Sequence, residues 1–294
     1  MPSSVSIPAP GAASAAPKSA VASQRYYRRF KPYQRMVHVL VMFSFIGLAL
    51  SGLPLLFPYT GWAQASVAIM GGFEGAALVH RVSATVMGAL FVAHIFEIIW
   101  RGVGSGSILN VLWGPSSMVP QPKDIADIYY HFKWFLGKGP RPQFDRYTYW
   151  EKFDYMAVFW GMFIIGGSGL MLWFPEFFAR FMPGWAINVA TVVHGHEALL
   201  AIGFIFTIHF FNGHLRPEKF PMDTVVFTGV LPEHELKEER PLEYARLVRE
   251  GKLDALEAPA PTAGQLRLAH WVGGAGLLLG IMAIVFIFFG LARG

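Results

Sequence analysis

The stretch LVHRVSATVMGALFVAH, residues 78–94, decides the fold class. It lies within an apolar run at 76–100, long enough to cross a hydrocarbon layer that about 20 helical residues can span. Two histidines, His80 and His94, stand inside that run. Four more runs of similar length fall at 36–57, 155–174, 187–211 and 268–291. Of the 294 residues, 54% are hydrophobic and 15% charged, against about 25% charged in a soluble domain. Such a chain cannot cover itself with polar groups, so lipid must solvate part of it. The expected class is an all-α integral membrane protein with five transmembrane helices.

Composition also excludes functions. The formal charge of +5 is not gathered into a groove-lining set, because the basic residues sit between the apolar runs; nucleic acid is not an expected partner. The chain has no cysteine, which excludes disulfides, thiolate zinc, iron–sulfur clusters held by this chain and covalent c-type heme. No flavin or nucleotide motif is present. Residues 1–24 are rich in Ala, Ser and Pro, with Lys18 their one charge, and read as a disordered tail. They do not read as a signal peptide, since the first apolar run follows a basic cluster and is too long for such a leader.

Lysine and arginine set the expected orientation. Six lie before or at the start of the first run, seven between residues 101 and 154, and eight between 214 and 267. The connection between runs one and two has none, and that between runs three and four has Arg180. The positive-inside rule then puts the N-terminus and both long loops in the cytoplasm and the C-terminus outside. Within the loops, DIADIYYHFKWFLG (124–137) and RPLEYARLVREG (240–251) read as surface helices, with His131 an interfacial residue and no catalytic constellation in either. Residues 224–267 are expected to form a cytoplasmic loop and residues 268–294 the fifth helix. Its Gly273, Gly274, Gly276 and Gly280 suit close packing; His270 stands at its start.

Histidine at membrane depth is costly and signals function by default. His80 and His94 are separated by fourteen residues. At about 100° per residue they return to one helix face, and at 1.5 Å rise they stand roughly 21 Å apart along it. Run four carries His194 and His196 near its outer end and His209 near its inner end. His194 shares a face with His209 better than His196 does, unless Gly195 or a local distortion intervenes. Runs two and four cross in the same direction, so their outer histidines can share one depth and their inner histidines another. Two b-type hemes, each held by two imidazoles, follow as the expected cofactors. The outer one would use His80 and His194; the inner one would use His209 with His94 or with His38 of the first run. Arg81, beside His80, is placed to meet an outer propionate.

Three acids lie at or near the runs. Asp154 reads as the cap of the third helix, and Glu197 as an imidazole partner, part of a proton path or an interhelical hydrogen bond; Glu97 follows His94 by one turn. His214, Arg216 and Lys219 flank the inner end of run four as propionate or quinone partners, or simply as membrane-flank charge.

The stretches QRMVHVLVMFSFIGLALSGLPL (34–55), LVHRVSATVMGALFVAH (78–94), WEKFDYMAVFWGMFIIGGSGLML (150–172) and VVHGHEALLAIGFIFTIHFFNGHLRPEKFPMD (192–223) together resemble the membrane cytochrome b subunits of respiratory formate dehydrogenase, nickel–iron hydrogenase and thiosulfate reductase. The resemblance runs from about residue 25 to 223 and implies a four-helix heme-binding core at 25–223. It implies heme ligands at His38, His80, His194 and His209, paired His38–His209 and His80–His194. His94 departs from that pattern. It is placed as in the cytochromes b of bc-type complexes, where helices two and four supply every ligand, and so stays a candidate. The resemblance further implies a bacterial inner membrane, quinone as an exchangeable substrate, and an extrinsic partner: a multiheme cytochrome, an iron–sulfur protein or a molybdenum-enzyme subunit. The chain would thus act as an electron-transfer subunit of an oxidoreductase complex. Two other classes compete. A heme-free anchor would tolerate loss of its histidines, whereas a proton-coupled transporter would call for internal repeats and broken helices; no repeat is evident in the sequence.

Overall fold

The computed structural model describes residues 24–292. The tail read at 1–24 therefore lies outside the described residues except for Gln24, whose side-chain amide meets His234 Nδ1 at 2.9 Å. Five helices are long and apolar enough to cross a membrane: Pro32–Leu56, Gly72–Gly104, Tyr149–Trp173, Gly184–Leu215 and Ala263–Leu291. They are called spans one to five below. All five expected runs are present, and the protein is an integral, largely helical, multi-spanning membrane protein.

The ends extend beyond the apolar runs because polar caps nucleate them. Span three starts at Tyr149, six residues before the apolar run, where Thr148 Oγ1 accepts from Glu151 N and Glu151 Oε2 accepts from Thr148 N. This reciprocal box satisfies two otherwise free amides. Thr262 and Gln265 repeat it at the head of span five. Asp154 is therefore not the cap of span three. It stands in the second turn, with its side chain free for another role.

Span one packs along span two, and span three along span four, giving two antiparallel hairpins. Span five lies against spans one and four. Its buried Gly273, Gly276 and Gly280 are consistent with the packing role read from sequence. The membrane core joins Ile46, Ala49 and Leu53 of span one to Ile202, Phe206 and Phe210 of span four and Ala283 of span five. Spans two and three bury few of their apolar side chains within the chain; lipid is the medium that accommodates such a surface. Spans three and four carry widened i→i+5 turns, at Met162–Gly166, Ile205–His209 and Phe211–Leu215. A short helix, Gly61–Ile69, lies between spans one and two.

The long loops fold together, which the sequence reading did not foresee. Strand β1 (Tyr26–Arg28) pairs antiparallel with both β2 (Val230–Pro232) and β3 (Glu257–Ala258). Tyr27, Val225, Leu231, Leu236, Leu247 and Leu253 form a second apolar core beneath them. Helices Pro122–Phe135 and Pro241–Arg249 fall where the two surface helices are read. A buried ion cluster ties the pieces: Glu243 bridges Arg29 and Arg146, and those two arginines each donate to the other's carbonyl. Asp145 pairs with Arg246, and Glu151 with Arg240. Residues before span one, between spans two and three, and between spans four and five must therefore share one membrane face, as five alternating spans require. The loop at 224–267 is part of a folded cap rather than a separate loop.

Candidate functional site

The outer histidines meet. His80 of span two and His194 of span four face each other with ring centroids 6.2 Å apart and planes at 70°. Each ring is held from behind through Nδ1. Ser51 of span one donates to Gly47 O at 2.6 Å, so its oxygen is left to accept from His80 Nδ1–H at 3.0 Å. His194 Nδ1 lies 2.9 Å from Ile165 O. A carbonyl only accepts, so this nitrogen carries the proton. Ile165 O is available because it belongs to the widened turn Met162–Gly166; such turns recur at functional sites. Ser168 Oγ is also beside His194 Nδ1, at 3.3 Å. In a neutral imidazole held this way the unprotonated nitrogen is Nε2, the form that binds a metal.

The two supports are alike. Ser51–Gly52 backs His80, and Ser168–Gly169 backs His194; a Cβ on Gly52 or Gly169 would stand 3.1 or 3.0 Å from the imidazole Cε1. The segments read SGLPL (51–55) and SGLML (168–172). This short repeat is the sequence signal for the supporting residues, and no longer repeat accompanies it. Each hairpin presents one Ser-Gly pair on its first helix and one histidine on its second.

The inner end is built differently. His209 Nδ1–H donates to Asp154 Oδ2 at 2.9 Å, which gives Asp154 its role. His38 and His214 stand close to His209. His38 meets Phe227 edge-on at 6.4 Å, and its Nδ1 is buried without a partner, as are His214 Nδ1 and Asp154 Oδ1. Buried polar atoms are ordinarily satisfied, so three orphans on the residues around His209 mark a place for a further polar or coordinating group. His94 is elsewhere engaged: its Nε2 is 2.8 Å from the Tyr155 hydroxyl, and its Nδ1 is 3.6 Å from Glu97.

The other sequence candidates fall into place. His196 is exposed and bonds its own helix at Val192 O, as His270 does at Leu266 O. Glu197 accepts from Trp160 Nε1 at 3.1 Å, an interhelical bond. Arg81 lies over the Trp173 ring, 5.6 Å from its centroid, at the outer end of the site. Arg216 and Lys219 are used within the cap, Arg216 near Glu239 and over Trp150, and Lys219 among Asp223, Glu235 and Glu239. Burial works against the Lys219 charge, yet these carboxylates outweigh it and hold the ammonium above its usual range. His131 is buried among Trp134, Phe135, Phe144 and Trp150, with Nδ1 3.0 Å from Tyr149 Oη.

The His80–His194 pair, with ring centroids 6.2 Å apart, offers two imidazole donors of the kind that would hold a metal cofactor. Among the described residues no group of three or more His, Asp or Glu is placed to hold a metal ion.

Fold and site together define a multi-spanning helical membrane protein with histidines paired between its spans. No protein-family model matches this chain, and no curated protein matches it either.

Proposed function

We propose that the protein is a membrane cytochrome b subunit that carries electrons across the bilayer, between the quinone pool and an extrinsic redox partner, through two b-type hemes. One observation carries the reading: His80 and His194 face each other with Nδ1 tied back and Nε2 free. A b-type heme held by His80 and His194 would supply reversible one-electron chemistry. The chain's own part is to orient the ligands, exclude water and tune their basicity.

At the outer site Ser51, Ser168 and the Ile165 carbonyl fix the ring tautomers, while Arg81 offers a cation to a carboxylate there. At the inner site His209 is the first ligand and Asp154 raises its basicity. His38 is the better-supported second ligand, since His94 spends its Nε2 on Tyr155 and His38 carries an unpartnered buried nitrogen. The distribution of Lys and Arg supports a cap on the cytoplasmic side of a bacterial inner membrane. The partner, a multiheme cytochrome, an iron–sulfur protein or a molybdenum-enzyme subunit, would supply or receive the electrons, since this chain has no cysteine and no flavin motif.

The quinone link is tested by adding a short-chain quinol to the purified, oxidised protein and following the heme absorbance bands. Reduction within the mixing time supports the reading. Hemes that dithionite reduces and quinol does not would contradict it.

A further inference from the structure

Helix Pro122–Phe135 is amphipathic in the reverse sense to a helix of a water-soluble protein. Its inward face is polar: Asp124, Asp127 and His131 are buried. Lys152 at the base of span three donates to both Asp124 oxygens at 2.9 Å, Lys123 pairs with Asp127, and Tyr149 holds His131. Its outward face is apolar, with Ile125, Ile128, Tyr129, Phe132, Phe135 and Leu136 all exposed. At about 100° per residue these six fall within one stripe of roughly 120°. Such a face is stable where water is excluded from it.

What covers the stripe follows from its attachments. Both ends of the helix are fastened to the first turn of span three, where that span leaves the bilayer. Lys133, Lys138 and Arg141 follow the stripe. Among the described residues none of the three meets a carboxylate, and no acid occurs from residue 128 to 144. Arg141 and Lys133 lie instead against Trp134 and Tyr129. Aromatic rings, apolar side chains and cations without a carboxylate partner, gathered on this helix and the turn after it, suit the boundary between acyl chains and anionic headgroups.

We propose that this helix lies in the membrane plane with its stripe among acyl chains, and that Lys133, Lys138 and Arg141 bind anionic phospholipid headgroups. The inference stands on the membrane fold alone and is independent of the heme reading.

The absence of cysteine makes the test clean. Ile125→Cys, Tyr129→Cys and Phe132→Cys are each labelled with an environment-sensitive fluorophore in nanodiscs holding acyl-brominated phospholipid; Glu250→Cys, on the exposed cap, is the aqueous reference. All three stripe positions should be strongly quenched and the reference not. Quenching equal to the reference would overturn the proposal, whether the stripe then proves to face water or, by cross-linking, a second protein. For the headgroup, brominated phosphatidylglycerol should quench at least about twofold more than brominated phosphatidylcholine at equal mole fraction. The excess should vanish when Lys133, Lys138 and Arg141 are all changed to Gln. Equal quenching by the two lipids would overturn the anionic part.

Discussion

His80 and His194 come from different hairpins, yet their rings stand 6.2 Å apart at 70°, each fastened from behind through Nδ1. With each Nδ1 engaged in this way, Nε2 is the ring nitrogen left over on both histidines. The arrangement needs four helices: two to carry the rings and two to hold them.

His80→Ala or His194→Ala should each lower the heme content of the purified chain from two to one, and His209→Ala should remove the other. His196→Ala and His270→Ala should leave both, because those rings bond their own helices. Heme-to-protein ratios across the series check this. His38→Ala against His94→Ala decides the inner partner, with loss expected for His38.

Gly52→Ala and Gly169→Ala place a methyl about 3 Å from the ligand ring, closer than ordinary van der Waals contact. Each should reduce outer-heme occupancy while sparing the inner heme. Ser51→Ala removes the hydroxyl 3.0 Å from His80 Nδ1; heme should stay bound, with a shifted midpoint potential in a redox titration.

Asp154→Ala removes the carboxylate behind His209. Supporting partners of this kind are worth about 10–100-fold in metal affinity, so inner-heme affinity should fall by that order. In the molecules that retain the heme, a less basic imidazole should raise its midpoint potential. A potential unchanged within error would remove Asp154 from the site.

These elements differed in how far they could be read from the sequence. The spans were legible because apolar length is a local property. Helix phase favours His194 over His196 for the face shared with His209, and it is the His194 ring that meets His80. Asp154 reads as a cap from sequence, whereas the Thr148–Glu151 box starts the helix earlier. Ser51 and Ser168 are not legible as supports, since a lone hydroxyl in an apolar helix has no periodic signature; their SGL repeat gains meaning from the histidine beside each. The cap was missed because β1, β2 and β3 are three residues or fewer, and their pairing joins segments some 200 residues apart.

The cap should depend on Glu243. Its carboxylate is buried between Arg29 and Arg146, and removing one partner from such a cluster costs about 3–5 kcal/mol. Glu243→Gln should raise amide hydrogen exchange in β1 and β2 by orders of magnitude while the outer heme spectrum stays as it was. Unchanged exchange would make the cluster dispensable.

Burial, followed by Arg141 and Arg216, lowers the affinity of His131 for a proton, with Asp127 opposing them. The unfolded chain then binds more protons there, so stability rises with pH through this window. The contribution is present above the unfolded histidine value of about 6.5 and declines as pH falls below it. His131→Phe should flatten that acid slope in thermal unfolding of the purified protein.

Heme stoichiometry tests the central claim most directly. The purified chain is assayed for non-covalent heme per polypeptide, with a reduced-minus-oxidised spectrum on the same sample. The account predicts two b-type hemes with the spectrum of bis-histidine, six-coordinate iron. A chain folded in the membrane that binds no heme would contradict it.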